Sequence, residues 1–220
     1  MWRKVSDVVA GVLALAACTS SGGGTAATGT AGPAVGTATT AATSAPPTAA
    51  APSSPAAEAT AQGVAVTVDP CAVYPQGEAS ALSGVAVQAG TPQTYDQGSK
   101  GCFYSGGTEG VTSITIAEAT SASDANAVWD QEKARAQKAL QQNLPSGVQL
   151  AATLTDVTGI GDKASVASFS GSIGPVTLSG SAVYVLKGAT FFAVSVVRLN
   201  GAAPSADALK AEAQTILGRV

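Results

Sequence analysis

The sequence has no histidine, few charged residues and few aromatic ones. Of its 220 residues, 11% are charged and 5% are aromatic, and the formal net charge is −3. Without imidazole the chain cannot form a Ser-His-Asp triad, a Cys-His pair, a zinc site with histidine ligands or a histidine pH switch. Because it also lacks a basic cluster, we expect no nucleic-acid partner.

The common serine-hydrolase patterns G-x-S-x-G and S-x-x-K are missing as well. A Ser/Lys dyad assembled across the fold remains an alternative, but no pair is singled out. We therefore predict that the protein is not an enzyme and has no catalytic residue, cofactor or metal site. A hydrolase with an unrecognised site is kept as the exception.

The chain does have an N-terminal leader. Arg3 and Lys4 precede an apolar run over residues 8–17, which is too short to span a bilayer and typical of a signal peptide. The run ends in Leu15-Ala16-Ala17-Cys18, which has the pattern of a lipobox. Residues 1–17 are thus predicted to be a lipoprotein signal peptide that is cleaved before Cys18. Ordinary cleavage at an A-x-A-like site in the same run is the alternative.

Lipidation at Cys18 would decide where the protein resides. Its thiol would carry a diacylglycerol, and its new amino group is a site for a further acyl chain such as palmitate. Each buried CH₂ contributes about 0.8 kcal/mol, so two or more chains give stable attachment. We predict a lipoprotein of the cell envelope, held by its lipid alone at the outer, extracytoplasmic face of the cell membrane.

Residues 18–62 have the composition of a tether. After Cys18 they are almost entirely Ala, Thr, Gly, Ser and Pro, and Glu58 is the single charge. Prolines, glycines and the scarcity of bulky apolar side chains argue against a helix or a core. The tract is predicted to be a disordered spacer, and its Thr/Pro content also suits O-glycosylation.

Residues 63–220 carry nearly all of the charges. A segment of this length can bury one hydrophobic core. We predict an α+β domain with a mainly antiparallel sheet, two or three packed helices and one disulfide. Strands or extended segments are predicted at 64–68, 85–88, 101–105, 111–117, 148–155, 164–169, 176–186 and 190–198. Helices are predicted at 70–82, 124–142 and from Ser205 onwards. Each half thus has strands followed by a helix, so an internal duplication is an open hypothesis.

Local signals refine the helices. Asp69 is the expected N-cap of the first helix, and Ser121 or Ser123 of the second. Within the second helix, the i,i+3 spacing predicts ion pairs Asp130–Lys133 and Glu132–Arg135.

Two cysteines remain once Cys18 is lipidated. In an exported domain, Cys71 and Cys102 most simply form a structural disulfide, which closes a loop of about 31 residues. A redox or metal-binding pair is the alternative, but the C-x-x-C spacing and a histidine partner are both missing.

A glycine-rich segment, Gly159-Ile160-Gly161-Asp162-Lys163-Ala164, matches the dinucleotide pattern G-x-G-x-x-A. That pattern requires a following helix, whereas residues 165–169 have the alternation of a strand. We therefore predict a glycine-supported turn that carries Asp162. Asp156 and Asp162 together suggest a cation site, although two loop carboxylates are more often simply solvated.

Several of these features together resemble a known family. They are Asp69-Pro70-Cys71, the second cysteine in Gly101-Cys102-Phe103-Tyr104, the segment 157–164 and a terminal helix. They resemble a domain of actinobacterial envelope lipoproteins whose function is unknown, and similar disulfide-bonded α+β domains serve as extracellular sensors of envelope kinases. The resemblance covers most of residues 63–220, although Ala72-Val73-Tyr74-Pro75 replaces the family's leucine-rich helix. It implies a fold and a location, and no activity.

Two functional classes are expected besides the hydrolase. The first is a ligand-binding or sensing module of the cell envelope. The second is a structural or accessory partner of a membrane or envelope complex, for which lipid and tether set the local concentration.

Overall fold

The computed structural model describes residues 63–95, 98–142 and 149–220. The leader, Cys18 and the tether predicted over 18–62 lie outside the described residues. The strands are β1 Gly63–Val64, β2 Thr91–Thr94, β3 Lys100–Ser105, β4 Gly110–Ala119, β5 Gln149–Val157, β6 Lys163–Ile173, β7 Val176–Lys187 and β8 Thr190–Leu199. The helices are α1 Pro70–Val73, α2 Gln76–Ser83, α3 Ala122–Gln142 and α4 Ala206–Leu217.

The strands form one eight-stranded antiparallel sheet. Its order is β2-β3-β4-β8-β7-β6-β5, and β1 pairs with the end of β4. After the β2-β3-β4 meander, α3 leads the chain to the far edge, and the β5-β6-β7-β8 meander returns to pair β8 with β4. The predicted α+β class and antiparallel sheet are confirmed. Both halves have strands followed by a helix, and the duplication stays a hypothesis.

One face of the sheet is covered by α1, α2 and α4. Side chains at alternate strand positions point to this face, among them Ile114, Phe192 and Val183, which are fully buried. Leu209 and Ile216 of α4 pack against them in the same hydrophobic cluster. This layer is the main core, and the candidate site described below lies within it.

The opposite face carries α3 at one end. Trp129 is buried there and meets Phe191 of β8 edge-to-face, with ring centroids 6.0 Å apart. Leu186 and Ala119 complete this smaller cluster.

Side-chain caps start three of the four helices. Asp69 accepts from the Cys71 N–H at 2.9 Å, and Ser205 accepts from the Ala208 N–H at 3.2 Å. Ser121 accepts from the Asp124 N–H at 3.1 Å, which decides between the two predicted N-caps of α3. Each cap provides an acceptor for a backbone N–H that has no partner within its helix.

The predicted ion pair Asp130–Lys133 within α3 is wrong. Lys133 instead reaches Asp156 of β5 at 2.5 Å, and Lys163 of β6 reaches Asp130 at 2.8 Å. The sheet lies under this side of the helix, so each charge has a partner on another element. The side chains of Glu132 and Arg135 lie outside those described.

The first predicted helix is divided in two. Pro75 lacks an N–H and adopts an extended conformation between α1 and α2. The strand predicted at 85–88 is wrong, because Val87 enters the core from a segment without strand structure. The second strand is instead Thr91–Thr94. The alternation of apolar and polar residues did not reveal it, because all four of its residues are exposed.

Candidate functional site

The predicted disulfide is present and joins α1 to the sheet. Cys71 and Cys102 are bonded, with their Cα atoms 5.1 Å apart. Gly90 passes so close to the bridge that a Cβ on it would lie 2.4 Å from the Cys102 Sγ. The bridge thus joins α1 covalently to β3, and the chain at Gly90 packs directly against it.

Arg219 ties the C-terminal helix to the same segment. Its guanidinium donates two hydrogen bonds of 2.7 Å to the Glu78 carboxylate on α2. It donates a third, of 2.8 Å, to the Val73 carbonyl oxygen at the end of α1. A planar guanidinium bound to both oxygens of a carboxylate fixes geometry as well as charge. Arg219 thus connects α1, α2 and α4 at one point.

A second carboxylate, Glu212 of α4, lies beside this pair in hydrogen-bond contact with Glu78, and it forms no ion pair with a described lysine or arginine. Its Oε1 is buried and has no hydrogen-bond partner among the described residues. Burial, followed by the negative charge of Glu78, raises the pKa of Glu212 to about 7. The hydrogen bonds from Arg219 instead lower the pKa of Glu78. At neutral pH one carboxylate is therefore firmly ionised, and the other is close to its midpoint.

Two tyrosines form the inner wall of this group. The Tyr104 hydroxyl donates to the Tyr74 carbonyl oxygen, and the two rings meet edge-to-face at 5.8 Å. Tyr74 is fully buried, and its own hydroxyl has no partner among the described residues. Burial, and then the charge of Glu212, raise the pKa of Tyr74 far above its ordinary range. The Tyr74 hydroxyl is therefore neutral and available for hydrogen bonding.

We call Tyr74, Glu78, Tyr104, Glu212 and Arg219 the Tyr74–Glu212 cluster. Three buried side-chain atoms of the described residues lack a partner: the Tyr74 hydroxyl, Glu212 Oε1 and Thr112 Oγ1. Thr112 lies opposite Tyr104 in the β3–β4 register, so it faces the same helices. All three atoms therefore lie in one layer. A buried polar atom without a partner costs about 1–3 kcal/mol, which a bound polar group would recover.

A Ser–Asp–Lys group also comes together, between α3 and the outer strands. Asp156 accepts from Ser165 at 2.7 Å and from Lys133 at 2.6 and 2.5 Å. Lys133 and then Ser165 hold the pKa of Asp156 below its usual range, which makes its carboxylate a weak base. Lys133 donates to the carboxylate and not to the serine, so the arrangement ties helix to sheet and is not a Ser/Lys dyad.

The glycine-rich segment forms the turn between β5 and β6. Gly159 and Gly161 have φ of 83° and 59°, in the left-handed region that glycine adopts without strain. Asp162 accepts from the Gly188 N–H at 2.7 Å and from Lys187 at 3.0 Å. Because Ala164 belongs to β6 and no helix follows, the dinucleotide interpretation fails. Asp156 and Asp162 each bind a different lysine, so they do not form a joint cation site.

Two negative findings concern only the part of the chain that the structure describes. It contains no group of three or more acidic or cysteine side chains placed to hold a metal ion. Among its helices, none combines the length and apolarity needed to cross a membrane.

The residues of the Tyr74–Glu212 cluster were not predicted as a site. Glu78 and Glu212 lie on α2 and α4, Tyr104 lies on β3, and Tyr74 and Arg219 follow the ends of α1 and α4. Arg219 is 141 residues from Glu78. A single sequence shows no spacing that would bring them together.

In comparisons with known proteins, no protein-family model and no curated protein sequence matches this chain.

Proposed function

We propose that the chain is a lipid-anchored module on the extracytoplasmic side of the cell membrane, and that it binds or senses a small polar ligand at the Tyr74–Glu212 cluster. The lipobox at Cys18 and the resemblance to actinobacterial envelope lipoproteins support the location. The Cys71–Cys102 bridge is consistent with it, because disulfides persist in oxidising compartments.

The observation that carries the ligand site is the set of buried polar atoms without partners. Tyr74 offers a hydroxyl donor, and Glu212 offers an acceptor in the same layer. Glu78 and Arg219 are partly exposed, with 29% and 37% of their side-chain surface accessible, so the cluster reaches the surface. This combination of an accessible ion pair and buried, unsatisfied polar atoms is typical of a binding site.

The charges define the chemical class of the ligand. When Glu212 is ionised, two carboxylates face one guanidinium, so the cluster carries one excess negative charge. An anionic ligand would be repelled. A neutral or cationic molecule that donates hydrogen bonds would satisfy Glu212 and offset its charge. Binding would join α4 more tightly to α1 and α2, which is a change that a sensing module can transmit.

The test uses the full chain with putrescine, ethanolamine and glycerol as probes, at pH 8 where Glu212 is ionised. We expect the amines to bind, as measured by calorimetry and by shifts of ¹³C-labelled glutamate side chains. Glu212→Gln and Tyr74→Phe should weaken putrescine binding about tenfold, since each removes one polar partner. Glu109→Gln, at an exposed turn, is the matched control. If no probe binds, or if the control loses as much affinity, the cluster is not the ligand site.

A second candidate function is that of an accessory partner in an envelope complex. One observation favours it: the outer edge of β5 lacks the features that normally protect a sheet edge. A complex formed through this edge does not require a ligand at the Tyr74–Glu212 cluster.

A further inference from the structure

The two edges of the sheet differ sharply. On one side β2 is four residues long and contains Pro92, whose missing N–H prevents regular pairing with another strand. On the other side β5 is nine residues long and has neither proline nor glycine. All nine of its residues pair with β6 in one continuous register, so no bulge interrupts the strand. No described strand pairs with the outer side of β5.

The charge on β5 does not protect its edge either. Asp156 is its single ionisable residue, and its carboxylate is already bound to Lys133 and Ser165. Ala151, Thr153 and Thr155 are exposed and uncharged, and Ala152 and Leu154 are half-buried. Protected edges usually carry a lysine, a proline or a bulge. The outer edge of β5 therefore presents backbone hydrogen-bonding groups that no described strand pairs, beside small or apolar side chains.

We propose that the outer edge of β5 binds the same edge of a second copy of this chain, as an antiparallel strand pair with a two-fold axis at Thr153. This inference is independent of the ligand site proposed above.

The register follows from the strand itself. Thr153 is the middle residue of β5, so a two-fold axis there brings all nine residues of each strand into the ladder. Residues at 151 and 155 then lie opposite each other, as do those at 152 and 154. Every opposed pair lies on one face of the joined sheet, as antiparallel pairing requires.

Charge repulsion does not oppose self-pairing. Asp156 lies opposite position 150 in this register, so the two copies of Asp156 do not face each other. Thr153 faces Thr153, a pair that favours strand association. A two-fold interface uses the same surface on both copies, which is the commonest arrangement of homodimers.

The test uses the full chain, expressed with its leader in a bacterial envelope. Thr153→Cys should give a covalent dimer of this chain on a non-reducing gel, because the two introduced thiols lie directly opposite. Gln93→Cys, at an equally exposed position on β2, should stay monomeric. A Thr153→Cys protein that remains monomeric, or that crosslinks only to other proteins, overturns the proposal.

Charge at the two-fold position gives an independent readout that does not depend on a thiol. Thr153→Lys and Thr153→Glu each place like charges opposite, so each variant alone should dimerise at least tenfold more weakly in detergent-solubilised protein. Co-expression of the two variants should restore dimers that contain one copy of each. The same substitutions at Gln93 should change nothing. If Thr153→Lys alone dimerises as well as the wild type, the edge is not the interface.

Discussion

Arg219 donates two hydrogen bonds of 2.7 Å to Glu78, which lies 141 residues earlier in the chain. With its third bond to the Val73 carbonyl oxygen, it joins the last helix to the segment held by the disulfide. Glu212 lies beside this pair, and its buried Oε1 has no hydrogen-bond partner among the described residues. Both the proposed ligand site and the predicted pH dependence of stability depend on this arrangement.

We predict that stability falls between pH 5 and pH 8. The pKa of Glu212 is raised from 4.5 to about 7, by burial and then by the charge of Glu78. A carboxyl with a raised folded-state pKa contributes stability below pH 4.5, and that contribution is lost as pH rises through 7. We expect a loss of about 1–2 kcal/mol, once solvent screening of a partly exposed group is considered.

Glu212→Gln provides the check, because glutamine does not titrate. The variant should unfold at a temperature several degrees above the wild type at pH 8, and the difference should vanish near pH 5. Calorimetry of the full chain at four pH values would measure this. A wild-type melting temperature that rises from pH 5 to pH 8 would contradict the prediction.

Reduction of the disulfide should destabilise the domain. Native bridges contribute about 2–4 kcal/mol, which corresponds to a fall in melting temperature of roughly 4–16 °C for a domain of this size. Residues 63–84 should loosen before the rest unfolds, because Cys71 is the covalent link between that segment and β3. Hydrogen exchange with and without reductant measures both effects. Two reactive thiols in the unreduced exported domain of a Cys18→Ser chain would disprove the bridge.

A pair of glycine substitutions tests the packing of the sheet. A Cβ on Gly110 would lie 2.1 Å from the Val197 carbonyl oxygen of β8, and its φ is 152°. The backbone of β8 cannot move aside as the tip of a flexible side chain can. We therefore expect Gly110→Ala to lower the free energy of unfolding by more than about 2 kcal/mol. A Cβ on Gly77 in α2 would have no other atom within 4 Å. Gly77→Ala should therefore raise the free energy of unfolding by about 0.5 kcal/mol. If urea unfolding shows the same change in stability for Gly110→Ala and Gly77→Ala, the packing described here is wrong.

Cys18→Ser should abolish lipidation and leave the leader attached. The change removes the thiol that would carry the diacylglycerol, and cleavage at a lipobox depends on that modification. Metabolic labelling with a fatty acid and intact-protein mass would measure both. Cys71→Ser is the matched control and should keep the label. Wild-type protein that incorporates no fatty acid would disprove the lipoprotein prediction.

Local signals in the sequence determined much of the domain. Alternation of apolar residues located most of the strands, because one buried face imposes a period of two. Asp69 and Ser205 marked helix starts, since their side chains accept from backbone N–H groups close by. The cysteine pairing followed from the small number of candidates. The strand at 91–94 was not predicted, because none of its residues is buried and its sequence shows no apolar alternation.

Only the tertiary structure decided the ionic contacts and the sites. Asp130 and Lys133 were spaced to pair within α3, yet each bonds to a strand that the sheet order brings under the helix. Arg219 meets Glu78 because α4 packs beside α2. β5 is the last strand of the described sheet because α3 leads the chain to its far side. Helix caps and strand alternation act over a few residues and can be read along the chain. Contacts between distant elements depend on how the layers pack, and a single sequence does not encode that in any local pattern.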